Sequence, residues 1–168
     1  MDSHLPVVPA SLVALSLTGC ILAGIFPDTR TAVDRAREVA PKCAAFSEDV
    51  VRPVLLASSV ESVEPDYAFV SSGSADREAR LLGVRIHMGP RPAMSRESLE
   101  RGLRCHQARV VLGEVAGSDR DPYSMDGLWL DIDADSDGDG FVVSVRTKGV
   151  RDARTLLGRA RGLVVRGE

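Results

Sequence analysis

Three side chains near the middle of the chain have the chemistry to hold a soft or borderline metal ion: His87, Cys105 and His106. Imidazole and thiolate suit copper(I) or zinc, and Met88 and Met94 add soft thioethers nearby in sequence. The spacing works against a ready-made site. No second Cys stands at the separation a zinc finger needs, and a haem attachment site needs C-x-x-C-H, whereas Cys105 precedes His106 directly. Neighbouring residues on a helix point about 100° apart, so Cys105 and His106 do not converge easily on one ion. His106 falls among Leu99, Leu103 and Val110 at helical spacing, the pattern of a core histidine with a hydrogen-bond partner. A thiol-dependent enzyme would need a base within reach of Cys105. His106 lies on another helix face, which leaves His87, on a strand whose outer face need not meet this helix.

A second constellation, Asp133-Ala134-Asp135-Ser136-Asp137-Gly138, matches the first half of a calcium loop, D-x-D-x-D-G. Oxygen ligands at alternate positions can wrap a hard cation, and Gly in sixth place allows the bend. The twelfth position counted from Asp133 is Ser144 instead of a bidentate Glu, and the flanks alternate like strands, so a solvated hairpin turn accounts for the same residues. Trp129 falls on the polar side beside Asp131, where exposure would mark a contact surface and burial a covered sheet. No G-x-S-x-G, Walker loop, dinucleotide-binding glycine pattern, H-E-x-x-H or S-x-x-K is present. The expectation is a protein that is not an enzyme, with no cofactor beyond a metal ion at one of these two places.

The elements that must position these groups follow from the hydrophobic period. Asp28 offers a helix N-cap, Ala32, Val33, Ala36, Val39 and Ala40 give a narrow apolar stripe, and Pro41 interrupts it. Ser47-Glu48-Asp49 reads as a second start, shortened by Pro53, so residues 28–57 are expected as one or two helices beside the main fold. Tyr67, Phe69 and Val70 then precede a Ser/Gly/Asp turn cluster. Beyond it Leu82, Val84, Ile86 and Met88 share one strand face and Gly83, Arg85 and His87 the other, which predicts a hairpin with one solvated face. Ser95 caps a helix over 96–112 that Gly113 stops, and 114–126 is a polar loop. Leu128, Leu130 and Ile132 alternate with Trp129, Asp131 and Asp133, an Asp/Gly turn follows, and Phe141, Val143 and Val145 form the next strand. After Lys148-Gly149 a last helix carries Ala153, Leu156, Leu157, Ala160, Leu163 and Val164.

The fold class is therefore α+β: a two-layer sandwich of a four-stranded antiparallel sheet with two helices on one face, plus N-terminal helices. Were Leu163-Val164-Val165 a strand, residues 82–165 would be ferredoxin-like instead of ββαββα. Both orders give the same layers.

Over 168 residues the net charge is −3, with both signs interspersed, and aromatic residues make up 4%. A chain without a basic block or a stacking surface does not fit nucleic-acid binding.

Residues Leu5 to Leu17, LPVVPASLVALSL, form an apolar run of the length of a signal-peptide h-region, although Met1-Asp2-Ser3-His4 brings no Lys or Arg before it. The run ends in Leu17-Thr18-Gly19-Cys20, which resembles the bacterial lipobox. The resemblance covers the first twenty residues and implies that Cys20 becomes a lipidated N-terminus; Ile21 after it favours the outer membrane. The uncharged run to Pro27 is also long enough for a transmembrane helix or a buried core segment. Of the three cysteines, lipidation of Cys20 leaves Cys43 and Cys105 for a disulfide in an oxidising compartment, or as two separate buried thiols.

The chain then divides into a signal peptide, 1–20, a tether and helical segment, 21–57, and an α+β domain, 58–168. The expected function is that of an exported lipoprotein, a membrane-tethered binding or structural module at the periplasmic face of the outer membrane. Its partners are the membrane, through the lipid, and an envelope protein or small ligand, with no nucleic acid. The alternatives are an envelope metal-binding protein, using His87, Cys105 and His106 or Asp133, Asp135 and Asp137, and the thiol-dependent enzyme.

Overall fold

Thr31, not Asp28, starts the first helix of the computed structural model, which describes residues 29–46, 60–71, 77–91 and 94–164. Cys20 with its lipobox, Asp28 and the second helix start at Ser47 lie outside the described residues. Helix α1, Ala32–Val39, opens with a capping box. The Thr31 hydroxyl accepts from the Asp34 N–H at 3.1 Å, and the Asp34 carboxylate accepts from the Thr31 N–H at 3.0 Å. Its apolar stripe is narrower than the sequence pattern: Ala36 alone is buried and Val33 is 38% exposed. Past Val39 the chain tightens into a 3-10 turn, Ala40–Cys43.

Strands β1, Val60–Ser71, and β2, Arg77–Met88, form the first hairpin. Helix α2 spans Arg96–Val111, strands β3 and β4 span Asp131–Asp137 and Gly140–Arg146, and helix α3 spans Val150–Val164. The sheet has four strands in the order β1-β2-β4-β3, antiparallel throughout. α2 begins at Ser95, whose side chain accepts from the Ser98 N–H. It ends in a left-handed Gly113, φ +75°, with Gly113 and Glu114 N–H groups donating back to Val110 and Arg109.

The core is one layer between sheet and helices. Val84, Ile86 and Met88 of β2, Phe141, Val143 and Val145 of β4, and Ile132 and Ala134 of β3 pack with Leu99 and Leu103 of α2 and Leu156 and Ala160 of α3. α2 lies against β3, α3 against β1 and β2. The fold is the α+β sandwich with both helices on one face. Leu163 and Val164 are the last turn of α3, so the order over these residues is ββαββα and not the ferredoxin-like one.

Two boundaries depart from the sequence pattern. β3 begins at Asp131, not Leu128, and continues through the aspartates to Asp137, leaving Gly138 and Asp139 as the turn. The stretch expected as an Asp/Gly turn keeps the strand alternation, because small Ala134, 2% exposed, fills the inward place after Ile132. The first hairpin also outruns its sheet. β4 pairs with Gly83–Met88 only, and a register shift lies at Asp66/Tyr67, so Tyr67–Ser71 and Arg77–Leu81 pair as an arm beyond the sheet. Its base is tied down by the Thr147 N–H on the Leu82 carbonyl, 2.9 Å, and by the Arg80 guanidinium on the Lys148 carbonyl, 2.8 Å.

Candidate functional site

The residues proposed as metal ligands are dispersed. Cys105 is disulfide-bonded to Cys43, with Cα atoms 5.5 Å apart, so neither sulfur is a thiolate that could bind a metal or attack a substrate. The bond joins the 3-10 turn to α2, where Arg109 also donates to the Cys43 carbonyl at 3.1 Å and the Arg101 guanidinium stands 5.9 Å from the centre of the Phe46 ring. His106 is buried on α2 and its Nε2 lies 2.7 Å from Asp121 Oδ2. His87 belongs to the helix-free face of the sheet, between Glu64 of β1 at 3.7 Å and Asp137 at 3.4 Å. The helix–strand separation keeps His87, Cys105 and His106 from forming one ligand set. Among the described residues no group of three or more His, Cys, Asp or Glu side chains is placed to hold a metal.

Asp121 is the node that the sequence pattern did not reveal. Its Oδ2 also accepts from the Ser124 hydroxyl at 2.6 Å, and its Oδ1 accepts from the Tyr123 N–H at 2.8 Å. Arg159 of α3 donates to the carbonyls of Ser118, Asp121 and Ser124. The loop expected to be polar therefore buries Pro122, Tyr123, Ser124 and Met125. Burial, with Asp121 nearby, pushes the Tyr123 phenol well above its ordinary value. Serine, histidine and aspartate meet here in the wrong order for acyl transfer. That chemistry places His between Ser and Asp, whereas Asp121 stands between Ser124 and His106. The available signal was Tyr123 and Met125 inside an otherwise polar stretch.

The candidate calcium residues are strand residues. Asp133 meets Arg104 and Arg146, Asp135 meets Arg96, and Asp137 meets His87, at 3.4 to 3.5 Å. An extended strand sets alternate carboxylates along one row and does not wrap an ion, so Asp133, Asp135 and Asp137 do not make a calcium loop. The same edge is closed by α2. Arg104 donates twice to the Ile132 carbonyl, at 2.9 and 3.1 Å, and Glu100 accepts from the Ala134 N–H at 3.3 Å. Trp129, half-buried, lines a hollow beside Arg30, Arg35 and Asp131.

The strongest surface feature is the arm. Phe69 is 73% exposed and Tyr67 53%, and with Val33 they are the exposed large apolar side chains among the described residues. They stand two apart on β1, hence on one face, opposite Ala79 and half-buried Leu81. Such a face is suited to association, because water gains nothing from wetting it. Tyr67 and Phe69 were legible as strand residues; what the sequence did not convey is that no layer covers them.

Comparison with protein-family models, curated proteins and solved structures finds no match. Among the described residues no helix is long and apolar enough to cross a membrane.

Proposed function

We propose that the chain is an exported lipoprotein, held by an acylated Cys20 and acting as a binding or structural module of the cell envelope. The observation that carries the reading is the Cys43–Cys105 disulfide. Such bonds persist where thiols are kept oxidised, outside the cytoplasm. The pairing also accounts for the cysteine parity: with Cys43 and Cys105 joined, Cys20 is the one sulfur left over, and it ends the L-T-G-C run.

Binding is favoured over chemistry by three features. Cys105 is not a free nucleophile, the Ser124 hydroxyl is turned to Asp121, and Tyr67 and Phe69 stand open to solvent. Metabolic labelling with radioactive palmitate in a bacterial host tests the anchor. Label is expected on the wild-type chain in the membrane fraction and absent from the Cys20→Ala variant. Equal label on both, or none on either, overturns the reading.

A further inference from the structure

We propose that the Tyr67–Phe69 arm seats in the headgroup layer of the membrane that carries the anchor, so that the domain is docked on the bilayer in one orientation. The inference rests on the lipid-anchor reading above.

Chemistry comes first. Two aromatic side chains on one face, one with a hydroxyl, match the boundary between acyl chains and headgroups, where amphipathic rings concentrate. Charge on the arm itself is balanced, since Asp76 and Glu78 stand against Arg77 and Arg80 in the sequence. Beside it, Lys148, whose carbonyl accepts from Arg80, and Arg151 at the start of α3, which packs on β1 and β2, outnumber Asp152 by one. Arginine and lysine near a bilayer lay their stems on apolar surface while their charges meet phosphate.

Geometry agrees. Asp131, Arg146, Gly83 and Asp66 form one row across the sheet, and Arg35 of α1 reaches Asp131 at 3.6 Å at the far end of that row. The arm leaves the sheet from the same row. Three strand spacings and three strand residues separate the Asp131 backbone from Phe69, a span of roughly 15 by 10 Å. Thr31 is eleven residues on from Cys20, a covalent reach of at most about 40 Å. A lipid on Cys20 and an arm at this end of the sheet can therefore meet one bilayer.

A second copy of the chain fits less well. Outside the arm, β1 carries Glu61, Glu64, Pro65 and Asp66, and charge and proline on an edge strand oppose pairing with an identical strand.

The test uses the acylated protein, its mass checked first, carrying Phe69→Trp with Trp129→Phe. It is reconstituted in phosphatidylethanolamine–phosphatidylglycerol vesicles with brominated acyl chains. Thermal unfolding matching the wild type certifies the fold. The indole introduced at position 69 is expected to lose more than half its fluorescence to bromine, while Trp129 of the wild type loses little. Acyl mass with an unquenched indole overturns the docking and leaves the anchor standing. A chain without acyl mass overturns both. An unquenched indole whose emission shifts with protein concentration places a second copy on the arm and likewise overturns the docking.

Discussion

The two edges of the sheet are finished in opposite ways. At β3 the outward carbonyl of Ile132 and N–H of Ala134 are taken by Arg104 and Glu100, and Asp131, Asp133 and Asp135 meet arginines from α1, α2 and β4. At β1 the strand runs past its sheet and ends in uncovered Tyr67 and Phe69. An open edge invites unwanted pairing, and closing it with a helix removes that hazard. The β3 side is closed by α2 and the disulfide, whereas the β1 side carries the uncovered aromatic pair on which the proposed docking rests.

The largest effect is expected from breaking the closed side at its covalent tie. Replacing both Cys43 and Cys105 by Ala reopens a loop of sequence separation 62, worth roughly 4 kcal/mol on loop-closure entropy. Urea denaturation of the two forms measures it; a loss below about 1 kcal/mol would mean that the N-terminal turn contributes little to the fold.

Next is the pin on the adjacent residue of α2, His106. Asp121→Ala leaves the His106 ring, the Ser124 hydroxyl and the Tyr123 N–H without their common acceptor. The expected cost is about 2–3 kcal/mol, read from the same denaturation curves. No change would deny the node its structural role.

The edges themselves can be compared directly. Arg104→Ala is expected to cost about 1–2 kcal/mol, since two hydrogen bonds to the edge carbonyl go with it. Tyr67→Ser with Phe69→Ser should stay within about 0.5 kcal/mol, as substitutions of exposed side chains do. Equal losses at the two edges would erase the distinction drawn between them.

The smallest effect concerns pH. The Thr31 hydroxyl and backbone N–H hold the Asp34 carboxyl below its ordinary range. Its folded pKa is thus lower than its unfolded one, and its contribution is full above the unfolded value. That contribution is lost as pH falls from about 4 through the folded value. Amide exchange in α1 should quicken over that window, and Asp34→Ala should abolish the pH dependence.

Much of the layering was legible because its signals are local. The alternation of Val84, Ile86 and Met88, the Ser95 cap and the Gly113 stop each need only a few neighbouring residues. The onset of β3 was misplaced because Leu128 and Leu130 are apolar, while the strand is carried by Ile132 and little Ala134. Asp121 was missed for a different reason: its partners come from α2, its own loop and α3, and nothing in one stretch marks their meeting. Parity left Cys43 and Cys105 either as a disulfide or as two buried thiols, and the meeting of the 3-10 turn with α2 decides for the bond. Arm length was invisible, since pairing beyond a sheet leaves the same strand pattern as pairing within it.

The central claim, an exported domain hung from Cys20 and locked by its other two cysteines, is tested most directly by the intact mass of the non-reduced protein from a bacterial envelope. The account predicts a chain shorter by residues 1–19, heavier by a diacylglycerol group and an amide-linked acyl chain, and lighter by the two hydrogens of the Cys43–Cys105 bond. A full-length, unacylated mass with three alkylatable thiols would contradict it.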